Sequence, residues 1–378
     1  MTRDFDVILY GATGFTGRQT VAYFKKHAPP DLHWAIAGRN RAKLEALNAG
    51  VPVIAADSTD TAAIDTMAGR TRVVLNTAGP FARYGGAIVD ACVRFGTHYA
   101  DITGETAWVR GLIDRYHAKA EAEGTRIVPF CGFDSIPSDI GAMLISRALG
   151  PETSEVKAFF KMKGGLNGGT FASAVNLFES GQQMVVRDLF LLSPGITRPP
   201  RDLERDPASA LFDQDLQGWI APFVMGSINT RVVRRSCQIL GADFAYQEYT
   251  NAGSHFAASL VSSGSAFFEK ALASATMRGF LKKLAPAPGQ GPSEKTMNSG
   301  WFRCDLFGRA SDGRTARGVI SDQGDPGNRV TVKCLCESAM CLAIEKLPER
   351  AGVLTPSTAL GDALVARLRA RGMTLEAG

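Results

Sequence analysis

The chain has 378 residues, which is enough for two domains, and 45% hydrophobic with 21% charged content is typical of a globular protein with a core. The net charge of +5 is too small to indicate a nucleic-acid partner, and no dense block of Lys or Arg occurs. We find no apolar run long enough to span a membrane, and we expect no signal peptide. Seven cysteines without a secretion signal predict reduced thiols, a cytoplasmic location and no metal site.

Short apolar runs alternate with helical stretches in the first part of the chain. The predicted strands are Val7–Tyr10, Trp34–Ala37, Val53–Ala55, Val73–Asn76, His98–Asp101 and Arg126–Val128. Helices are predicted near Gly17–Lys26, Ala42–Leu47, Asp60–Ala68, Gly86–Phe95, Ala107–Ala122 and Pro137–Leu149. This alternation indicates βαβ units and a doubly wound parallel sheet of Rossmann type, in the strand order 3-2-1-4-5-6. The fold class is therefore α/β, with a dinucleotide-binding domain over residues 1–150.

The pattern changes in residues 151–345, which we predict to form a second, α+β domain for substrate binding and dimerisation. A strand at Glu155–Lys161, a helix at Thr170–Val186 and three strand-like runs between Trp301 and Cys336 predict an antiparallel sheet. Asp312-Gly313 is a hairpin signal, and Ser193–Ser209 and Ala285–Gly300 are predicted loops. Residues 346–378 hold a C-terminal docking helix that begins after Thr355 and carries Leu360, Leu364 and Leu368 on one stripe.

One apolar segment has two interpretations. The stretch His255–Phe268 is rich in apolar and small residues, with Ser and Gly between them. A buried helix is the favoured interpretation, and contact with a membrane surface is the alternative.

A glycine-rich turn follows the first strand and opens the first helix. It contains Gly11, Thr13, Gly14, Phe15, Thr16 and Gly17. Glycine permits a tight turn and close approach of the backbone, while the helix N-terminus offers free N–H groups to a pyrophosphate. A dinucleotide site is therefore predicted at this turn, in preference to a turn used only for packing.

Further residues at the ends of the strands are expected to contact the cofactor. After the second strand come Arg39 and Asn40, without the acidic residue that NAD sites usually place there, so a 2′-phosphate and hence NADP(H) is favoured. A solvated surface arginine is the alternative for Arg39. Asp57 is predicted either to contact adenine or to cap a helix. The remaining expected contacts, at the end of the fourth strand, are Asn76, Ala78, Gly79 and Pro80.

Three carboxylic acids lie at the edge of the sheet where ligands of open α/β folds bind. Asp101 and Glu105 follow the fifth strand, and Asp134 follows the sixth. Each is a candidate to deliver the proton that accompanies hydride transfer. Two of these acids also have a structural interpretation: Glu105 could line a helix start, and Asp134 could cap the helix at Pro137. No Tyr-x-x-x-Lys, G-x-S-x-G or H-E-x-x-H motif occurs.

The sequence resembles the saccharopine dehydrogenase-like oxidoreductases, in particular their trans-acting enoyl reductase branch. The resemblance is carried by the segments YGATGFTGR, AGRNRAKLE, NTAGPFARYGG, HYADITGE, CGFDSIPSDIG and VLTPSTALGDALVARL, and by Gly168–Thr170. It covers most of the chain and is weak from about Ser193 to Gly300. It implies a Rossmann domain with a second domain inserted in it, NADP(H) bound by Gly11, Gly14, Gly17 and Arg39, and Asp101–Glu105 and Cys131–Asp139 facing the nicotinamide and substrate.

Three functions remain open at this point. The resemblance implies reduction of an enoyl C=C bond on a lipid or polyketide intermediate that a separate synthase or acyl carrier holds. The second is an NADP-dependent dehydrogenase of an amino acid or imine, which a cluster of Arg and Lys near the nicotinamide would favour, whereas an apolar tunnel would favour the first. The third is a dinucleotide-binding redox sensor without turnover. A small, apolar substrate and a homodimer are the expected partners.

Overall fold

The computed structural model describes residues 3–165, 168–284 and 290–378. The strands are β1 (Phe5–Tyr10), β2 (Trp34–Gly38), β3 (Val53–Ala55), β4 (Thr71–Asn76), β5 (His98–Asp101), β6 (Arg126–Val128), β7 (Thr153–Lys163), β8 (Leu211–Asp213), β9 (Gly218–Pro222), β10 (Ala245–Asn251), β11 (Trp301–Ala310), β12 (Thr315–Gln323), β13 (Gly352–Val353) and β14 (Thr374–Ala377). The helices are α1 (Phe15–His27), α2 (Arg41–Glu45), α3 (Thr61–Gly69), α4 (Phe81–Tyr84), α5 (Gly86–Phe95), α6 (Thr106–Ala122), α7 (Ile136–Leu149), α8 (Gly168–Glu179), α9 (Gly226–Leu240), α10 (His255–Ala273), α11 (Ala275–Leu284), α12 (Glu294–Ser299), α13 (Thr331–Ile344) and α14 (Pro356–Ala370).

Sheet A is parallel and has the order β3-β2-β1-β4-β5-β6-β13. The six predicted strands and their 3-2-1-4-5-6 order are confirmed, and β13 adds a seventh strand at the β6 edge. Helices cover both faces of such a sheet, so its central strands are apolar on both sides. In β1, for example, Val7, Ile8 and Leu9 are all completely buried.

Sheet B has the order β14-β12-β11-β7-β10-β9-β8. The predicted antiparallel pairing is present, and one parallel pair, β7 with β10, makes the sheet mixed. This pair is parallel because the chain crosses over between the two strands through α8 and α9. The predicted hairpin joins β11 and β12, and Gly313 takes the positive φ of +90° that its turn requires.

The prediction of a third strand before Cys336 is wrong. Cys334 and Cys336 lie in α13, a helix whose residues are almost all buried. A helix covered on every side loses the polar face that reveals its period, so its apolar run resembles a strand. Helix α13 packs against sheet A and α1, where Tyr23 donates a 2.8 Å hydrogen bond to Glu337. The domain division at residues 150 and 345 stays a prediction.

Two loop and helix predictions also need correction. The predicted loop Ala285–Gly300 contains α12, whose N-cap Ser293 accepts a hydrogen bond from the Thr296 amide. The part of that loop at 285–289 lies outside the described residues. The predicted helix Thr170–Val186 ends earlier, at the C-terminus of α8, and continues as turns to a short 3₁₀ segment, Val185–Arg187.

The prediction that His255–Phe268 is buried is wrong. This segment forms most of α10, and Phe256 is 78% exposed and Phe267 67% exposed. Apolar composition predicted the helix but not which of its faces other elements cover. No helix in the described parts of the chain is both long and apolar enough to cross a bilayer.

The two sheets share one continuous hydrophobic core. It runs from Leu9 in sheet A through α13 and α7 to Leu306 and Ile320 in sheet B. Helix α14 completes it, because Leu360, Leu364 and Leu368 are completely buried, as their spacing predicts. The carboxyl edge of sheet A is thereby held against the ends of β7 and β10.

Candidate active site

The glycine turn after β1 has the geometry that a pyrophosphate needs. Gly11 has φ of +83°, and a Cβ atom there would lie 2.8 Å from Thr77 Oγ1 and 2.9 Å from the Ala78 amide. A Cβ atom on Gly17 would lie 2.2 Å from the Gly11 carbonyl oxygen. Gly14 is the N-cap of α1 and provides no side chain to cap it. The first amides of α1 are therefore available to an anion, and the residues fit a dinucleotide.

Arg39, Asn40 and Asp57 lie where the cofactor ribose is expected. The Asn40 side chain caps α2 by accepting from the Lys43 amide at 2.9 Å. Asp57 accepts from the Thr59 amide and hydroxyl at 3.0 and 2.8 Å, and these bonds, with nearby Arg39, lower its pKa. Within the described residues the exposed Arg39 makes no hydrogen bond. Asn40 and Asp57 shape the two loops, and Arg39 is the side chain left for a 2′-phosphate.

Strands β1, β4 and β5 end at the same level, and their last residues are joined by hydrogen bonds. Tyr10, Asn76 and Asp101 are partners in the register of the three strands. Asn76 accepts from the Ala78 amide and donates to the Tyr99 hydroxyl, which donates to Asp101 at 2.7 Å. Burial raises the pKa of the Asp101 carboxyl to about 7. Asp101 has no exposed surface, so it holds the strand ends in register rather than facing a ligand.

Glu105 connects the carboxyl edge of sheet A to helix α8. Its carboxylate accepts from the amides of Phe81 and Ala82 at 2.8 and 3.1 Å, and so caps the start of α4 just after Gly79 and Pro80. It also accepts from the Ser173 hydroxyl of α8 at 3.1 Å. An anion at a helix N-terminus is favourable. The structural alternative for Glu105, at a helix start, is therefore its observed environment.

Asp134 has a different environment from the other two candidate acids. The residue is half-buried, it makes no hydrogen bond or ion pair within the described residues, and desolvation of its carboxyl raises its pKa to about 6. The neighbouring Phe133 ring packs edge-on against Phe302 and Phe160, with ring centroids 4.8 and 6.3 Å away. Asp134 therefore stands at the contact between the first domain and sheet B with an unpaired carboxyl.

A buried polar network next to Asp134 was not found from the sequence. Glu248 of β10 is completely buried and accepts from Ser138 at 2.6 Å, Asn229 at 2.8 Å and Tyr246 at 2.9 Å. Burial and, to a smaller extent, the negative charge of Asp134 raise its pKa to about 7, although the three hydrogen bonds act in the opposite direction. The signal in the sequence was a single acid within the otherwise uncharged strand AYQEYTN. An acid at such a position predicts a functional or hydrogen-bonded carboxyl.

A partly apolar cavity lies at the ends of β7 and β10. Its volume is about 350 Å³, and it is lined by Phe160, Lys161, Met162, Phe223, Thr250, Asn251 and Trp301. Phe160 and Phe223 stack in parallel with centroids 4.3 Å apart. Because Phe160 also packs against Phe133, the cavity borders the Cys131–Asp139 segment at the edge of sheet A. The Phe133 ring thus connects the segment that carries Asp134 to a wall of the cavity.

Comparison with known proteins agrees with this arrangement. Residues 7–128 match the family described as the saccharopine dehydrogenase NADP binding domain. A relative from Mycobacterium tuberculosis, provisionally named a trans-acting enoyl reductase, is 36% identical, covering 99% of this chain and 97% of its own. The trans-acting enoyl reductase of Mycobacterium ulcerans is 34% identical, covering 99% and 98%. This chain belongs to the saccharopine dehydrogenase-like family.

Membership of the family establishes the cofactor and the reaction class. The protein is an NADP(H)-dependent oxidoreductase, as the glycine turn and the absence of an acid after β2 predicted. A solved structure of saccharopine dehydrogenase (L-Glu forming) from Saccharomyces cerevisiae has the same fold, with a TM-score of 0.55 at 14% identity and coverage of 99% of both chains. The assignment of individual cofactor and catalytic residues stays a prediction.

Proposed function

We propose that the protein reduces the C=C bond of an enoyl thioester on a lipid or polyketide-type intermediate that a separate synthase or acyl carrier presents. The observation that carries this proposal is the cavity beside Phe133, whose walls are mainly Phe160, Met162, Phe223 and Trp301. An apolar chain gains free energy on entering such a site. The names of the full-length relatives support the same activity.

The alternative substrate, an amino acid or imine, needs a cluster of cations to hold its carboxylates. In the described part of the chain the cavity lining offers one, Lys161. The observed walls therefore favour the enoyl substrate.

The protein's own groups have three tasks in this reaction. NADPH, when bound, supplies a hydride for the β-carbon, so the protein must hold the enoyl group and supply a proton to the α-carbon. Phe160 and Phe223 hold the apolar chain, and they exclude water from the reacting bond. Asp134 is our proposed proton donor, because its carboxyl is unpaired and its pKa of about 6 keeps a protonated fraction near neutrality. Glu248 is a second buried acid, and the charge of Asp134 raises its pKa, so it keeps its proton after Asp134 ionises.

Oxidation of NADPH, followed by absorbance, tests this function. We expect turnover with N-acetylcysteamine thioesters of 2-enoic acids, with KM falling as the acyl chain lengthens. Met162→Lys should raise KM for a long-chain substrate about ten-fold, since it places a charge in the cavity. Phe212→Lys is the matched control, because Met162 and Phe212 are both 44% exposed and only Met162 lines the cavity.

Two outcomes would replace this proposal. Oxidation of NADPH only with a 2-oxo acid and an amine would assign the imine activity. Tight NADPH binding without oxidation by any acceptor would assign the redox sensor.

We also propose a cytoplasmic location and a homodimer. All seven cysteines are free and buried, which suits a reducing compartment. Fractionation of cells and the mass of the protein in solution test these two proposals.

A further inference from the structure

Helices α10 and α11 present the most apolar exposed surface of the described structure, and we name it the α10–α11 face. Its large exposed side chains are Phe256, Leu260, Phe267, Phe268, Met277 and Phe280. Soluble proteins seldom expose this many large apolar side chains together, and such a face usually marks an interaction site.

The apolar residues of α10 form one stripe. Phe256, Leu260 and Phe267 are separated by four and seven positions, which places them within about 40° of each other around the helix. The residues between them are mostly Ala, Ser and Gly, so the large side chains project beyond the surface. A projecting stripe suits a deformable surface better than a protein partner, whose interface would need matching pockets.

The charge of the α10–α11 face favours an anionic partner. Within residues 255–284, Lys270, Arg278, Lys282 and Lys283 are opposed by one carboxylate, Glu269. Arg278 and Lys282 also pair with Glu179 of α8 at 3.9 and 2.6 Å, so Lys270 and Lys283 are the cations without an ion pair in the described residues. Glu269 is paired with Arg187 at 3.7 Å. A second copy packed on this face by two-fold symmetry would bring the cations together, whereas an anionic lipid surface attracts each of them.

The face is continuous with the apolar cavity. Thr250 and Asn251 line the cavity at the end of β10, and α10 begins four residues later at His255. His255 packs edge-on against Trp219, with ring centroids 4.5 Å apart. A surface that held α10 would therefore lie beside the cavity.

We propose that the α10–α11 face rests on an anionic lipid membrane. Phe256, Leu260 and Phe267 insert among the acyl chains, and Lys270 and Lys283 contact the headgroups. The enzyme then works at the membrane surface, with its apolar cavity next to the lipid phase. This inference goes beyond the proposed function and does not depend on which substrate is reduced.

Flotation of the full-length protein with vesicles tests the proposal. We expect binding to an equimolar mixture of phosphatidylglycerol and phosphatidylcholine, and weaker binding to phosphatidylcholine alone. The double variant Phe256→Ser/Phe267→Ser should bind at least about ten-fold more weakly. Lys270→Glu/Lys283→Glu should lose binding several-fold, and only at low salt, because the headgroup attraction is screened.

The control variant Leu240→Ser/Ile344→Ser replaces exposed apolar residues elsewhere, at 39% and 44% exposure, and should bind as the wild type does. NADPH titration shows that each variant is folded. The proposal is overturned when the wild type remains unbound with anionic vesicles, or when Phe256→Ser/Phe267→Ser floats with them equally. It is also overturned when these substitutions dissociate a dimer, since the face would then join two copies. Turnover of a water-soluble thioester, measured without vesicles, tests the proposed function separately.

Discussion

Replacement of Asp134 by Asn is expected to stabilise the protein while it removes activity. The carboxyl has no hydrogen bond or ion pair within the described residues, and its pKa is raised from 3.8 to about 6 by burial. An amide of the same shape would lose no partner and would not carry the charge. Asp134→Asn cannot donate the proton, so turnover should fall by roughly a hundred-fold or more.

The sign and size of the stability change follow from the pKa. A carboxyl with a raised pKa in the folded state binds more protons folded than unfolded, so wild-type stability falls as pH rises from about 4 through about 6. Because Asp134 is half-buried and water screens part of the effect, about 3 kcal/mol is the upper bound of the penalty near pH 8, and about half of that is the bound near pH 5. The advantage of Asp134→Asn should therefore grow between these two pH values and level off above.

Urea unfolding at both pH values measures this difference. Asp139→Asn is the matched control, because burial raises the pKa of Asp139 to about 6 as well. Asp139 accepts hydrogen bonds from Ser236 and from the amide and hydroxyl of Ser357, so its amide variant should be less stable than the wild type. A lower stability of Asp134→Asn, or an advantage that does not change with pH, would refute the reasoning.

Three further predictions concern the cofactor site and its support. Arg39→Glu should weaken NADPH binding at least about ten-fold in a fluorescence titration and leave NADH binding nearly unchanged. The same change at the exposed Arg41 should leave the affinity for both cofactors unchanged. Gly17→Ala should lower the free energy of unfolding by about 3 kcal/mol, since its Cβ meets the turn, while Gly111→Ala, with open space in α6, should raise it by about 0.5–1 kcal/mol. Tyr99→Phe should lower stability by about 1–3 kcal/mol in thermal unfolding, because two buried polar partners lose their bond.

Sheet A could be predicted from the sequence because each strand is a short apolar run between turn residues. The glycine turn marks the first βα unit, and the alternation of strands and helices that follows it fits the doubly wound strand order. The cofactor site is encoded in the same local way. Gly11 and Gly17 are needed by backbone contacts within a few residues or with the next loop, so their spacing is visible in the sequence.

Features that depend on distant packing could not be predicted. Helix α13 and helix α10 are both apolar, yet α13 is buried on all sides and Phe256 on α10 is mostly exposed. The two helices are equally hydrophobic on average, and they differ in the elements that pack against them. The Glu248 network has the same origin, because Ser138, Asn229 and Glu248 come from three separate elements.

The acids of this site differ in the hydrogen bonds that their carboxylates accept. Asp139 and Glu248 each accept several hydrogen bonds from elements that are distant in sequence, and Asp101 accepts from Tyr99 and Thr103 in its own segment. The half-buried Asp134 is partly desolvated, which raises its pKa, and it has no such partner in the described structure. A carboxyl that destabilises the fold and contributes no contact is best explained by a role in the reaction. We therefore propose Asp134 as the proton donor because its carboxyl is unpaired, and not because it follows β6.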